Sequence, residues 1–106
     1  IPDRGDIIWL NFDPTKGHEQ RGDRPAFVIS PQSYNQKTDM ALVCPITSSV
    51  KGYPFEEGLE VDGLVGVILV DQIRSLDWSV RMDHFITKAP ADTLLRVLYK
   101  LRVLTA

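Results

Sequence analysis

Met40-Ala41-Leu42-Val43-Cys44-Pro45-Ile46-Thr47 is a run with apolar side chains on both of its alternating faces. Ala41, Val43 and Pro45 fall on one face, and Leu42, Cys44 and Ile46 on the other. A strand that is apolar on both faces belongs in the middle of a sheet, buried on each side. Pro45 lacks an N–H and has to sit where no ladder bond is required. Around this run lie further strand-like segments rich in β-branched and aromatic residues: Asp6 to Phe12, Pro25 to Ser30, a segment from Tyr53 to about Val61, Val65 to Val70, and a short one over Phe85 to Lys88. Gly5 turns the chain into the first of them, and Asp62-Gly63 is a turn signal.

Two helical signals interrupt the strands. Ser30-Pro31 reads as an N-cap beside a first-turn proline, predicting a short helical turn to about Asn35, with a polar turn from there to Asp39. Ala89-Pro90-Ala91-Asp92 opens one long helix, whose apolar face is Leu94, Val97, Leu98, Leu101 and Leu104. Many short strands followed by one helix predict a mainly β fold, a small twisted antiparallel barrel closed by a C-terminal α-helix.

The chain has 106 residues, which predicts one domain spanning residues 1–106. Hydrophobic residues at 43% and charged residues at 25% fit an ordinary soluble globular protein. A single cysteine, Cys44, excludes an internal disulfide framework and fits a reducing compartment. There is no long apolar run and no basic-then-apolar leader, so no membrane span and a cytoplasmic location are expected. The net charge of −2 argues against a sequence-independent nucleic-acid coat but leaves room for a local basic site. Cys44 and the two histidines, His18 and His84, are too scattered for a metal-site pattern, so neither metal nor cofactor is expected.

Between the first two strands runs a long polar connection, about Asp13 to Arg24, that includes Gly17-His18-Glu19-Gln20-Arg21-Gly22-Asp23-Arg24. Loops of that length in a compact domain are functional or disordered, and the apolar segments at both ends argue for order. A histidine, carboxylates, an amide and guanidiniums stand close together in it, with Lys16, Arg21 and Arg24 as the local basic cluster. Those groups suit the binding and cleavage of a phosphodiester.

Several segments, taken in order and spacing, carry a resemblance. Arg4-Gly5-Asp6-Ile7-Ile8-Trp9, Phe12-Asp13-Pro14, Gly17-His18-Glu19-Gln20, Gly22 with Arg24-Pro25, Val43 to Thr47, and Asp71-Gln72-Ile73-Arg74-Ser75 resemble the MazF/PemK/Kid toxins of bacterial toxin–antitoxin systems. Asp13-Pro14-Thr15-Lys16-Gly17 and Lys51-Gly52-Tyr53-Pro54-Phe55 are most similar to the MazF branch. The resemblance implies an SH3-like barrel, a homodimer, and a metal-independent endoribonuclease. Such an enzyme cuts single-stranded RNA at short motifs and leaves 2′,3′-cyclic phosphate and 5′-hydroxyl ends. It also implies a cognate antitoxin as partner, whose extended acidic C-terminal segment competes with RNA for a basic groove.

Metal-free RNA cleavage assigns roles to residue types. A group must accept the 2′-hydroxyl proton, cationic or hydrogen-bonding groups must stabilise charge on phosphorus, and the 5′-oxygen must receive a proton. Arg24 suits the charge-stabilising role, because a planar fork matches phosphate oxygens; the plainer reading is a salt bridge to Asp23 or Glu19. Thr47, ending the apolar run, can donate its hydroxyl to a phosphate oxygen or simply bond its own backbone. The resemblance matches both to catalytic positions. Glu19, Asp71 and His18 are the candidates for proton transfer. One branch of the family pairs a carboxylate matching Asp71 with an arginine two residues earlier, where this chain has Leu69; His18 is also readable as an exposed loop histidine.

Gln72, Arg74 and Ser75 are expected along the RNA path, with Lys16 and Gln20 of the loop. Asn35 and Lys51 are candidate phosphate or base contacts, or solvated surface. Phe12, Tyr34 and Tyr53 are candidate stacking platforms, against the commoner fate of aromatics in a small core. Two other functions fit the same fold: a CcdB-like toxin that binds DNA gyrase without catalysis, and a module that holds RNA without cutting it.

Overall fold

The computed structural model describes residues 1–106. Seven strands, β1 (Asp6–Asn11), β2 (Asp23–Val28), β3 (Met40–Thr47), β4 (Glu56–Val61), β5 (Leu64–Leu69), β6 (Arg74–Asp77) and β7 (Met82–Lys88), form one sheet. Its order is β4-β5-β3-β2-β1-β7, with β6 as a second partner of β3, and every pairing is antiparallel. The helices are α1 (Gln32–Thr38), α2 (Trp78–Arg81) and α3 (Ala91–Thr105), with a 3₁₀ turn over Val70–Gln72. No helix is long and apolar enough to cross a membrane.

The central run is buried on both faces from Val43 to Ile46, as its apolar pattern predicts, while Leu42 is exposed. β3 pairs along one edge with β2; along the other it takes β6 over Met40–Val43 and β5 over Ile46–Thr47. Pro45 lies in the gap where one partner gives way to the other, which is where a residue without an N–H does least harm. Alternation then sorts the core into two clusters. Ile7, Phe27, Cys44 and Ile46 join Leu59, Ile68, Val70 and Val97 on one side of the curled sheet. Ile8, Leu10, Phe12, Ala26, Val28, Ala41 and Val43 join Leu76 on the other. α3 covers the first cluster through Val97, with Leu94, Leu98 and Leu101 packed beside it. The ladders run from β4 to β7 without joining those two edges, so the sheet is a half-barrel that α3 covers.

Some elements differ from expectation. α1 extends to Thr38, and its N-cap is Pro31 with no side-chain cap bond. The Ser30 hydroxyl is engaged elsewhere, donating to Asn35 Oδ1 and accepting the Leu42 N–H at 2.9 Å. β6 and α2 have no counterpart in the sequence reading, and β7 begins at Met82 rather than Phe85. The strand expected from Tyr53 starts at Glu56.

Cys44 is fully buried, and its thiol is pushed up to about 12 by that burial and, secondarily, by the charge of Asp71. At pH 8 the thiolate fraction is then about one in ten thousand. Cys44 should resist iodoacetamide in the native protein and react once denaturant exposes it; stoichiometric native alkylation, read by intact mass, would contradict this burial.

Candidate functional site

The long connection is held at its root by backbone and side-chain bonds. Phe12 N–H donates to the Gly22 carbonyl at 3.0 Å, and Gly22 N–H donates to Asp13 Oδ1 at 3.0 Å. Two arginines from later in the chain, on β6 and α2, hold the same entry. Arg74 Nη1 donates to the Phe12 carbonyl at 3.0 Å, and Arg81 Nη1 donates to the carbonyls of Asn11 and Asp13. Further along, Gln20 N–H donates to Gln72 Oε1 at 3.0 Å, tying the loop to the 3₁₀ turn. Gly17 and Gly22 take positive φ (61° and 76°), left-handed backbone that a glycine adopts without a Cβ penalty.

Two cavities open beside this loop. The first, about 350 Å³, is lined mainly by polar groups, among them His18, Gln20, Thr47, Lys51, Asp71 and Gln72. Ser49, Tyr53, Glu56 and Leu69 complete its wall. The second, about 340 Å³, is lined by Trp9, Arg24, Thr47 and Ser48 among others. Thr47 belongs to both. It stands at the end of β3, and its hydroxyl accepts the Ser49 N–H at 3.1 Å.

Arg24 is half-buried on β2. Its Nε donates to the Arg21 carbonyl at 3.1 Å and its Nη1 approaches the Ile46 carbonyl at 3.4 Å, one residue before Thr47. It makes no ion pair with a carboxylate: the charge pairs of the chain involve His84, Lys88, Arg96 and Lys100. The loop-closing salt bridge is thus absent. Burial draws the guanidinium's pKa below its ordinary value, yet an arginine so placed stays protonated at neutral pH. Asp23 lines the same cavity without reaching ion-pair distance, and a partly desolvated cation that no carboxylate pairs is suited to an incoming anion.

The structure brings together Arg24, Thr47, His18, Asp71, Gln20, Lys51 and Gln72 on the walls of these adjoining cavities. Other expected residues lie outside them. Glu19 is exposed and turns back on its own loop, where Oε1 accepts the Lys16 N–H at 3.1 Å. Lys16 and Ser75 are exposed and line neither cavity. The Arg74 guanidinium is committed to the Phe12 carbonyl and lies 6.0 Å from the Phe12 ring centroid.

Two expectations are corrected. Phe12 is 0% exposed and packs in the core with Leu10 and Ala26, so it offers no stacking face. Asn35 is also 0% exposed; its amide donates to the carbonyls of Pro2 and Ser30 at 2.8 and 3.0 Å, and so cannot reach RNA. Tyr53, by contrast, is exposed at the first cavity, whereas Tyr34 is exposed away from both. Trp9, Ser49 and Glu56 were not singled out by sequence reasoning. The Glu56 carboxylate accepts the N–H groups of Lys51 and Gly52, at 3.3 and 2.9 Å, and shapes the connection after β3. An aromatic alternating with buried apolar residues in β1 was the available signal for Trp9.

A sequence profile described as PemK-like, MazF-like toxin of type II toxin–antitoxin system matches residues 3–105. The endoribonuclease toxin MazF of Escherichia coli strain K12 is 54% identical over 81 residues, covering 76% of this chain and 73% of that protein. The endoribonuclease toxin ChpB of the same strain is 38% identical over 106 residues, covering 94% and 90%. A crystal structure of MazF from Deinococcus radiodurans superposes with a TM-score of 0.94 at 50% identity, covering 99% of this chain and 96% of that one. A MazE–MazF crystal structure (Form-II) from the same organism gives a TM-score of 0.87 at 50% identity, with the same coverage.

Proposed function

The chain belongs to the PemK-like, MazF-like toxins of type II toxin–antitoxin systems, and we propose that it is an endoribonuclease cutting single-stranded RNA without a metal. The observation that carries this is the Arg24 guanidinium, half-buried and in no ion pair with a carboxylate, on a cavity wall that it shares with Thr47. A gyrase clamp needs no such phosphate-binding pair, and the named relatives are endoribonuclease toxins.

The 2′-oxygen of the substrate attacks the adjacent phosphorus. Its proton passes to a base, the new 2′-O–P bond forms, and the bond from phosphorus to the 5′-oxygen breaks. A proton reaches that departing oxygen, leaving a 2′,3′-cyclic phosphate and a 5′-hydroxyl. Arg24 and Thr47 stabilise the charge that builds on the non-bridging oxygens. His18 and Asp71 are the proton-transfer groups that the first cavity offers. Gln20, Lys51 and Gln72, with Tyr53, receive the flanking nucleotides. The partner is a cognate antitoxin, as the MazE–MazF crystal structures show for the Deinococcus toxin, and its acidic tail competes with RNA. The working species is a cytoplasmic homodimer.

The test is incubation with a mixed-sequence single-stranded RNA, its DNA counterpart, and excess EDTA. RNA alone should be cut, in EDTA as without it, leaving cyclic phosphate ends. Cleavage of DNA, or loss of cleavage with chelator, would overturn the mechanism. Binding without cleavage would make the chain an RNA-holding module.

A further inference from the structure

Gly66 stands in β5 beside the end of β3. Of the seven glycines, Gly5, Gly17, Gly22, Gly52 and Gly63 have positive φ. Gly58 and Gly66 have ordinary strand backbones and face opposite surroundings. A Cβ on Gly58 would meet nothing within 4 Å, whereas one on Gly66 would lie 2.4 Å from the Thr47 carbonyl oxygen, 3.1 Å from its carbon and 3.5 Å from Ser48 Cα. These neighbours are backbone and cannot swing aside as a flexible side chain does. A glycine inside a strand often marks such a close approach of another backbone.

We propose that Gly66 is a positioning residue for cleavage: its missing side chain lets β5 pass against the Thr47–Ser48 peptide and so sets the Thr47 hydroxyl on the wall common to both cavities. This rests on the ribonuclease reading above. The β3–β5 ladder is only Ile46↔Ile68 and Thr47↔Val67, so beyond it the approach at Gly66 fixes the chain's path. The same peptide leads into Ser49, whose N–H orients the Thr47 hydroxyl, and follows Ile46, whose carbonyl faces Arg24. Relieving a 2.4 Å contact to an ordinary one moves the Thr47 carbonyl by about 1 Å. A misplacement of that size costs on the order of a hundredfold in rate.

The experiment compares Gly66→Ala, Gly58→Ala and Thr47→Val, and Gly66→Ala combined with Thr47→Val, on a short RNA. Gly66→Ala should lower kcat about a hundredfold with little change in KM, while Gly58→Ala matches wild type. In the Thr47→Val background, Gly66→Ala should cost less than about threefold, because the group it places is already gone. An unchanged kcat, or full multiplication of the two losses, would overturn the proposal. If Gly66→Ala fails to fold, the same change in a Ser48→Gly background gives the chain room to rotate. A folded protein there with wild-type kcat would also overturn it. Failure of wild type to cut RNA would instead defeat the ribonuclease reading; amide shifts at Ser48 and Ser49 report the displacement without substrate.

Discussion

Arg24→Ala should abolish detectable cleavage, a loss of about a thousandfold or more, while the protein still folds. Removing one donor from a preorganised charge-stabilising site costs about 10²–10³ in rate, and phosphoryl-transfer arginines are worth about 10³–10⁵. Arg24 combines a full charge with partial desolvation, and no carboxylate forms an ion pair with it. Its structural bonds are two, to the carbonyls of Arg21 and Ile46, and the second is long at 3.4 Å. At about 1 kcal/mol for a typical bond, set against relief from holding an unpaired cation half-buried, the melting temperature should move by only a few degrees. Arg24→Lys should remain at least tenfold impaired, because a point charge does not reproduce the guanidinium fork. Affinity for a 2′-O-methyl RNA, which cannot be cut, should fall much less than kcat. Wild-type turnover by Arg24→Ala would remove the residue from the mechanism.

What was legible in the sequence follows from which signals are local. β3 was readable because both of its faces are apolar, and that pattern requires burial on each side. α3 was readable because Leu94, Val97, Leu98 and Leu101 repeat at helical spacing and do pack on the core. β6 was not, because it is four residues long and buries only Leu76. The start of β7 was missed for a related reason: Asp83, His84 and Phe85 are all exposed, leaving no alternation to detect. α2 is a single turn capped by Asp77, too short for any periodicity.

The candidate site divides along the same line. Arg24 and Thr47 were legible as candidates, because the chemistry calls for such residue types at strand ends beside a polar loop and the family resemblance matches both. Their mutual placement depends on the register of β2 with β3, where Ala26 faces Pro45 two residues short of both, which no single segment encodes. Arg74 was expected along the RNA path, but its guanidinium is committed to a carbonyl 62 positions away in the chain. Gly66 carried a weak signal, a small residue between Val65 and Val67 in an apolar strand. Only the approach of Thr47 gives that signal its meaning.

Asn35→Ala should destabilise the fold by about 3 kcal/mol and leave the RNA affinity of the folded protein unchanged. The Asn35 side chain is fully buried and makes three hydrogen bonds, two donated to the Pro2 and Ser30 carbonyls and one accepted from the Ser30 hydroxyl. Truncation leaves a cavity and deprives buried polar groups of their partner, at about 1–3 kcal/mol for each one left unsatisfied. At about 4 °C or more per kcal/mol for a domain of this size, the melting temperature should fall by roughly 12 °C or more. The residue also ties the N-terminus to α1, and its carbonyl accepts the Trp78 indole N–H at 2.9 Å, joining α1 to α2. Asn35→Asp should be at least as damaging at neutral pH, because it replaces a donating amide with a carboxylate oxygen aimed at two carbonyls. Thermal melts of both variants, paired with titration of an uncleavable RNA at low temperature, separate the two roles. A normal melting temperature with weakened RNA binding would return Asn35 to the substrate path.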